Sequence, residues 1–196
     1  MDLALFDFDH TVTTSDSYGG FLRRVATPAQ LAHARWSVGP WVLGYRLGLV
    51  SPAGLRARVT RLAFAGRAES EIAAMAQIYA DVTLPTLIRP EMLTRIAWHR
   101  DRGDEIALVS GSLDLYLAPW CAQHGLALIC NRLESVAGVL TGRYAGGDRG
   151  AHKRADIHRR YELSRYPRIH AYGDSREDRA MLALAHERWY RGRRIA

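Results

Sequence analysis

Short apolar runs that end abruptly in polar residues recur along this 196-residue chain. Three of them occupy residues 2–7, 105–109 and 168–172. The first ends at Asp7, the second leads into Ser110, and the third leads into Gly173 and Asp174. Such runs are typical of buried parallel strands, and open α/β sheets bind their ligands at the carboxyl ends of these strands. We therefore expect these polar residues to lie at one edge of a sheet.

A long block with helical signals, roughly residues 15–87, separates the first run from the second. Thr27 and Ser51 are N-cap residues that each precede a proline, and Gly66 can end the helix that Ser51 begins. No convincing strand pattern occurs in the block. We predict a helical insertion, residues 15–87, in a catalytic core that comprises residues 1–14 and 88–196.

Helix and strand patterns alternate in the remainder of the chain. Helices are predicted at residues 90–102, 113–124, 152–162 and 177–185, and a further strand at residues 126–130. Residues 133–145 suggest a hairpin appended to the sheet, with turns at Ala137-Gly138 and Thr141-Gly142, and residues 187–190 suggest a last edge strand. The alternation predicts an α/β fold with a doubly wound parallel sheet and a small α-helical cap inserted after the first strand.

Charge and cysteine content restrict the classes of partner and site. The formal net charge of +7 allows an acidic partner such as nucleic acid or a lipid headgroup. The basic residues are spread along the whole chain, apart from an arginine cluster at residues 188–194, and that spread favours a solvated surface. Cys121 and Cys130 have no neighbours at zinc-ligand spacing, so we expect reduced, buried thiols. The spread of the basic residues and the lack of a recognised nucleic-acid-binding motif predict no nucleic acid partner.

The most apolar segment, residues 36–50, is interrupted by Pro40, Arg46 and three glycines. A bilayer span needs roughly 18 uninterrupted apolar residues, so a buried or interfacial helix is the better interpretation. Packing inside the cap is favoured for its large side chains. Two alternatives remain open: these side chains line a pocket for an acyl or aromatic group, or they make peripheral contact with membrane lipid. Aspartates interrupt the first apolar run, which argues against a secretory signal and predicts a cytoplasmic protein.

Lysine occurs once in this chain. Of the 27 basic residues, 26 are arginine, and the single lysine is Lys153. An ammonium group is a compact point charge, whereas a guanidinium is a broad planar fork. The bias suggests that Lys153 occupies a position where only the compact cation serves.

Four polar groups follow one another in a characteristic order. They are Asp7-Phe8-Asp9-His10-Thr11, then Ser110-Gly111-Ser112, then Lys153, and finally Gly173-Asp174-Ser175 with Asp178. In this order and on an alternating α/β pattern, they resemble the four motifs of the haloacid dehalogenase superfamily over nearly the full chain. The resemblance implies a Rossmann-like core and, because a second acid stands at Asp9, phosphoryl transfer rather than dehalogenation.

The chemistry of phosphate ester hydrolysis accounts for the first motif. Asp7 is placed to act as a nucleophile and to form an aspartyl phosphate, which divides a difficult hydrolysis into two steps. Asp9, two residues further along an extended segment, can protonate the leaving alkoxide and then deprotonate the attacking water. Carboxylates this close to a phosphate require a hard divalent cation, and Mg²⁺ suits oxygen ligands. His10 is expected to be exposed or to face the substrate rather than to be catalytic.

The resemblance also implies roles for the other motif residues. The metal ligands would be the side chains of Asp7 and Asp174 and the backbone carbonyl of Asp9. Ser110 and the amide of Gly111, at a helix N-terminus, would bind phosphoryl oxygens together with Lys153. Thr11, Ser175 and Asp178 would surround and orient these groups.

The helical insertion after the first motif is similar to the cap of phosphoserine phosphatases and their relatives. That similarity implies a small phosphorylated substrate, either a phosphoserine-like or other metabolite or a lipid phosphate. Two other classes remain open. The first is a phosphoacceptor signalling module, which is disfavoured by the helical insertion and by the position of Asp174 and Asp178 near the end of the chain. The second is a basic nucleic-acid-binding protein, for which no recognised motif is present. The oligomeric state is not indicated.

Overall fold

The computed structural model describes residues 1–195, except the side chain of Arg35. Its strands are β1 (Leu3–Phe6), β2 (Glu105–Leu113), β3 (Ala127–Asn131), β4 (Leu133–Val136), β5 (Val139–Tyr144), β6 (Ile169–Gly173), β7 (Glu187–Tyr190) and β8 (Arg193–Ile195). Six of them form one sheet in the order β3-β2-β1-β6-β7-β8. All neighbours in this sheet are parallel except β7 and β8. The predicted doubly wound, mostly parallel sheet is confirmed.

The helices follow the predicted order. They are α1 (Ser17–Val25), α2 (Pro28–Ser37), α3 (Gly39–Arg46), α4 (Pro52–Phe64), α5 (Glu69–Ile78), α6 (Leu84–Leu87), α7 (Pro90–Asp101), α8 (Asp114–His124), α9 (Lys153–Arg160) and α10 (Arg179–Leu182). The last is only four residues long, so most of the helix predicted at residues 177–185 is absent. The carboxylate of Asp178 accepts backbone hydrogen bonds there and holds the preceding segment as a turn.

Side chains of β1 alternate between the two faces of the sheet, and both faces are covered. Phe6 packs with residues of the helical insertion and of α7 and α8, whereas Leu5 packs with residues of α9 and α10. Alternation with burial on both faces is typical of a central parallel strand. The sheet therefore lies between two helical layers, and its carboxyl ends open toward the helical insertion.

The predicted helical insertion contains α1 to α6, all located between β1 and β2. The side chains of Thr27 and Ser51 cap α2 and α4, and Gly66 follows α4 with a φ of 78°, as predicted. Thr13 and Ile88 form an antiparallel bridge where the chain leaves and re-enters the core. Residue 196, the last of the predicted core, lies outside the described residues.

The hairpin of residues 133–145 is not appended to the main sheet, so that part of the prediction was wrong. Strands β4 and β5 form a separate two-stranded sheet that packs against α4. The backbone of Arg67 and Gly66, in the loop after α4, exchanges hydrogen bonds with Leu140 and provides a pairing partner that the main sheet does not.

Only one of the two predicted hairpin turns is a turn. Ala137 and Gly138 connect β4 to β5, both with positive φ. Gly142 instead lies inside β5, beside a register shift between the strands. A Cβ atom at Gly142 would approach the Arg61 Cα to 2.9 Å, so this glycine permits the close approach of α4.

Strand β7 forms where it was predicted, at residues 187–190, but it is not the edge of the sheet. Gly192 has a φ of 73° and allows the chain to turn back, so that β8 pairs antiparallel to β7. The edge position therefore passes to β8, whose residues are all exposed.

Most large apolar side chains of residues 36–50 lie on the outside of the cap, although Val38 is buried, and this corrects the favoured interpretation. Trp36 is 85% exposed, and none of the residues of α3 is buried. Two short helices divide the segment, and α3 packs mainly against α2 and α4, at the outside of the insertion. Elsewhere, Trp120 is buried and Trp98 is exposed. None of the helices within residues 1–195 has both the length and the apolarity needed to cross a bilayer.

A buried histidine under the sheet makes the stability depend on pH. His99 Nδ1 lies 2.9 Å from the Asp104 carboxylate, and Nε2 lies 2.9 Å from the Tyr172 hydroxyl. Burial lowers the pKa of His99 below 6.5, although the Asp104 carboxylate opposes this effect. The unfolded chain therefore binds the proton first, and His99 should destabilise the fold as the pH falls below about 6.5.

We expect the difference in melting temperature between the wild type and His99→Gln to shrink on acidification, because glutamine does not titrate. Thermal unfolding across a pH series measures this difference at each pH. A difference that stays constant or grows in acid would contradict the assignment.

Candidate active site

Asp7 directly follows β1, where the strand reaches the carboxyl edge of the sheet. Its backbone N–H donates to the Tyr172 carbonyl in β6, at 2.9 Å, which continues the strand pairing by one residue. The side chain is buried, and its Oδ1 accepts a hydrogen bond of 2.5 Å from the Lys153 ammonium. The carboxylate is thus held rigidly at the end of the central strand.

Lys153, the single lysine, begins α9 and is buried in the same place. Its Nζ donates to Asp7 at 2.5 Å and to Asp178 Oδ1 at 2.6 Å. The ammonium therefore bridges two carboxylates that belong to distant parts of the chain. A guanidinium would need more space than this closed position provides.

Asp174 and Asp178 lie in the loop after β6. Asp178 Oδ2 accepts hydrogen bonds from the backbone N–H groups of Asp174 and Ser175 and from the Ser175 hydroxyl. Carboxylate oxygens of Asp7, Asp174 and Asp178 all lie within 4.8 Å of one another. Asp178, which was predicted only to surround the metal ligands, thus belongs to the same carboxylate cluster.

Asp9 points to a different set of partners. Its Oδ1 accepts from the Ser17 backbone N–H at 2.6 Å, and its Oδ2 accepts from the Ser112 hydroxyl at 2.5 Å. Burial raises the pKa of Asp9, while the hydrogen bonds from Ser112 and Ser17 oppose the rise. The side chain is therefore separate from the three clustered carboxylates and holds a proton more readily than an exposed aspartate.

Burial and neighbouring charges shift the other titratable groups in opposite directions. Burial, with a smaller contribution from Asp178, raises the pKa of Asp7 to about 8, although Lys153 opposes the rise. Burial alone would lower the pKa of Lys153, but Asp7 and Asp178 raise it above its ordinary value. Burial alone would raise the pKa of Asp178, but Lys153 holds it below its ordinary value. Burial and the neighbouring charges thus favour the charged forms of Lys153 and Asp178, whereas burial makes Asp7 easier to protonate than an exposed aspartate.

Ser110 and Gly111 lie at the expected sheet edge but not at a helix N-terminus, so that detail of the prediction was wrong. Both belong to β2, and α8 begins only at Asp114. Asn131 donates to the Gly111 carbonyl at 2.7 Å, and the Ser112 N–H donates to Ser110 Oγ at 3.0 Å. Helix α8 begins at Asp114, close to the start of the predicted helix, so Ser110 and Gly111 precede it by several residues.

His10 and Thr11 are the last two residues of the first motif. The Thr11 hydroxyl oxygen is buried and has no hydrogen-bond partner among residues 1–195. His10 is exposed, as expected, and its φ of 59° turns the chain away from β1. Both residues line a cavity of about 710 Å³ that also reaches Asp174. The cavity therefore gives access to Asp174, one of the three clustered carboxylates.

Sequence reasoning missed a contact that joins the helical insertion to the core. Arg56 of α4 donates to Asp148 at 2.9 Å and, through two nitrogens, to Glu177 at 2.7 Å each. Asp148 also accepts from Asn131 and from the Gly150 N–H. The position of Glu177 next to Asp178 could have indicated that Glu177 lies near the site. Nothing in the sequence distinguishes Arg56 from the other arginines.

The donor set suits Mg²⁺. Three carboxylates provide hard oxygen ligands within one small volume, and no soft sulfur or imidazole ligand belongs to this cluster. Mg²⁺ needs only one or two protein carboxylates together with water and substrate oxygens. Asp7 and Asp174 would therefore provide enough protein carboxylates, while Asp178 holds the loop that carries Asp174.

Gly173 provides a test of how strictly this loop is positioned. A Cβ atom at Gly173 would lie 2.6 Å from the Asp178 Cβ and 2.9 Å from its Cγ. We expect Gly173→Ala to displace Asp178, lower kcat/KM by about 10²-fold and raise the Mg²⁺ concentration needed for half-maximal activity. Steady-state kinetics over a Mg²⁺ series measures both effects.

Gly39→Ala is the matched control, because a Cβ atom at that glycine meets nothing within 4 Å. Its kinetics should equal those of the wild type. Unchanged Mg²⁺ dependence in Gly173→Ala would mean that Asp178 does not need this position.

Comparison with known proteins agrees with the geometry. Residues 4–183 match the family model of haloacid dehalogenase-like hydrolases. The protein CicA of Caulobacter vibrioides is 33% identical over 199 residues, with 96% of this chain and 85% of that protein covered. Both the extent of the family match and this identity place the chain in a known family.

Solved structures share the fold. A protein of unknown function from Bordetella pertussis Tohama I aligns with a TM-score of 0.77 and 24% identity, over 95% of this chain and 88% of its own. A phosphoserine phosphatase with an analogue of its phospho-aspartyl intermediate aligns with a TM-score of 0.68 and 19% identity, over 95% and 84%. The chain belongs to the haloacid dehalogenase-like hydrolase family.

Proposed function

We propose that this protein is a Mg²⁺-dependent phosphomonoester hydrolase that acts through an aspartyl phosphate on Asp7. The observation that carries the proposal is the contact of Lys153 with both Asp7 and Asp178, inside a cluster of three carboxylates. This arrangement supports roles for Asp7 as the nucleophile, for Lys153 as the stabilising cation and for the clustered carboxylates as metal ligands. The phosphoserine phosphatases that share the fold add support.

The two chemical steps use Asp7 and Asp9. A carboxylate oxygen of Asp7 attacks phosphorus, and the bond from phosphorus to the ester oxygen breaks while Asp9 donates its proton to that oxygen. Asp9 then removes a proton from water, which attacks the phosphoryl group and releases inorganic phosphate and the Asp7 carboxylate. The raised pKa of Asp9, caused by burial, suits the protonated state that the first step requires.

The surrounding groups would stabilise charge on the phosphoryl oxygens. Lys153 contributes its ammonium, Ser110 a hydroxyl and Gly111 an N–H, while the unpaired Thr11 hydroxyl is free to donate as well. Mg²⁺ held by Asp7, Asp174 and the Asp9 carbonyl would neutralise Asp7 enough for a phosphate dianion to approach.

We further propose that residues 15–87 form a cap that selects the substrate. The bridge between Thr13 and Ile88 and the contact of Arg56 with Asp148 and Glu177 support this boundary and a position over the site. A small phosphorylated metabolite, such as phosphoserine, and a lipid phosphate are the two candidate substrate classes. The cytoplasmic location expected from the sequence stays a prediction.

Removal of the metal should abolish the reaction. We expect phosphate release from a panel of phosphoserine, sugar phosphates, nucleotides and lipid phosphates to fall to background in EDTA, because the clustered carboxylates then repel the phosphate. Excess Mg²⁺ should restore the release of phosphate. The ranking of the substrates would show which substrate class the cap selects. Phosphate release is measured directly.

Either of two results would refute the proposal. Phosphate release that persists in EDTA would show that the reaction does not require Mg²⁺. Folded protein without release from any substrate would favour the signalling alternative if a small phosphodonor labels Asp7, or the nucleic-acid alternative if binding to nucleic acid weakens steeply with salt.

A further inference from the structure

The outer surface of the cap carries a set of large apolar side chains that we call the cap patch. Its members are Trp36, Trp41, Leu43, Tyr45, Leu47 and Leu49, all exposed. Leu49 is 81% exposed and Leu47 65%, which is unusual for side chains of this size at neighbouring positions. The cavity beside Asp174 is lined by other residues, so these side chains do not form the wall of that cavity. The patch is directed to solvent.

The charge of the chain is concentrated in the same part of the molecule. No acidic residue occurs between Asp16 and Glu69, a stretch that covers α1 to α4 and holds eight arginines. Its formal charge is +8, whereas the rest of the chain carries −1. Arginines are indeed spread along the chain, but carboxylates accompany them only outside this stretch. The net charge of +7 thus originates in the stretch from α1 to α4, which includes the helices that carry the cap patch.

Several of these arginines are free to meet an external anion. Five are exposed and have no ion pair with any described residue: Arg23, Arg24, Arg46, Arg58 and Arg61. Arg46 belongs to α3 itself, and the Arg58 guanidinium stacks on the Trp41 ring at 5.3 Å. Cationic groups therefore border the apolar side chains directly.

We propose that the cap patch docks on the surface of a bilayer that contains anionic phospholipids. The leucine and tryptophan side chains would enter the boundary between headgroups and acyl chains, where amphipathic helices bind. The arginines would extend along this boundary to the lipid phosphates, and each adds attraction to an anionic leaflet. The apolar side chains match the acyl chains at this boundary, and the neighbouring arginines match the anionic lipid phosphates.

Two other occupants fit less well. A second copy of the chain would bring two stretches of charge +8 together, and like charges oppose such an interface. Nucleic acid would satisfy the arginines, but its surface offers no apolar layer for leucine side chains, and interfaces with it are predominantly polar. An anionic bilayer satisfies both kinds of group.

This docking goes beyond the proposed hydrolase function, because binding to a bilayer requires neither Asp7 nor a metal. The two proposals can therefore fail separately. Phosphate release from a water-soluble ester reports on the site, and vesicle binding reports on the cap patch.

Co-sedimentation of the full chain with vesicles tests the docking. We expect binding to vesicles of phosphatidylcholine mixed with phosphatidylglycerol, much weaker binding to phosphatidylcholine alone, and weaker binding as salt is added. Leu43→Ser, Leu47→Ser and Leu49→Ser combined should reduce partitioning onto the mixed vesicles at least about tenfold. Phosphate release from a soluble ester should be unchanged in this variant.

The matched control replaces exposed apolar residues outside the cap patch, with Ile78→Ser, Val82→Ser and Val136→Ser combined. It should bind vesicles like the wild type, and circular dichroism should show both variants folded. Absence of binding by the wild type, equal binding to both vesicle types, or equal losses in both variants would overturn the proposal. The proposal would also be overturned if the wild type did not bind vesicles but formed a dimer that the cap-patch variant does not form. It would likewise be overturned if the wild type bound RNA and not vesicles.

Discussion

Replacement of Asp7 by asparagine should lower phosphate release at least about 10⁴-fold, to the level of the background reaction. The amide is nearly the same size as the carboxylate, but its oxygen is a poor nucleophile and cannot form the acyl phosphate. The amide can still accept the hydrogen bond that Lys153 donates to Asp7, so the protein should remain folded. Phosphate release and thermal unfolding, measured on the same preparation, separate loss of chemistry from loss of structure.

Asp81→Asn is the control for this substitution, because Asp81 is exposed and its hydrogen bond from Gln77 can be kept by an amide oxygen. It should retain wild-type activity. Acid quenching of the wild type with labelled substrate should leave phosphate bound to the protein, and Asp7→Asn should leave none. A labelled Asp7→Asn variant, or one with more than about a tenth of wild-type activity, would rule out Asp7 as the nucleophile.

Replacement of Lys153 by arginine should lower kcat/KM at least about 10³-fold, even though the charge is kept. The ammonium donates to Asp7 and Asp178 from a buried position at the start of α9. A guanidinium is larger and planar, so it must push the two carboxylates apart. The overpacking should also lower the free energy of unfolding by about 2 kcal/mol. Steady-state kinetics and denaturant unfolding measure the two effects.

Arg154→Lys is the matched control, because Arg154 is the next residue in the chain and is exposed. It should change neither activity nor stability measurably. If Lys153→Arg were fully active, positive charge alone would suffice at this position, and the explanation for the single lysine would be wrong.

The strands and most helices could be predicted because their patterns depend on local sequence. The apolar run before Asp7, the capping residues Thr27 and Ser51, and Gly66 after α4 all agree with the structure. The hairpin at residues 133–145 could not be placed, because its partner is the loop after α4, about 70 residues away in the chain. Exposure of the cap patch was likewise missed, since periodicity reports an apolar face but not what covers it.

The sequence indicated which residues come together at the candidate site better than it indicated how they are arranged. Asp7 and Asp174 meet at the sheet edge because they follow β1 and β6, which are parallel and adjacent, and Lys153 reaches Asp7 from the start of α9. The placement of Ser110 at a helix N-terminus was wrong, because Ser110 lies within β2 and α8 begins only at Asp114. The contact of Arg56 with Glu177 could not be predicted, since nothing in the sequence distinguishes Arg56 and the contact joins two surfaces that meet only after folding.

The sequence by itself determined the alternating α/β architecture, the position of the helical insertion, and the order of the reactive groups. These properties depend on local periodicity and on which residue types can perform a given chemistry. Only the tertiary structure decided that Asp178 joins the carboxylates of Asp7 and Asp174, that Asp9 faces Ser17 and Ser112, and that the cap patch is directed to solvent. Such distances and exposures depend on strand order and on packing between residues far apart in the chain, which no local pattern specifies.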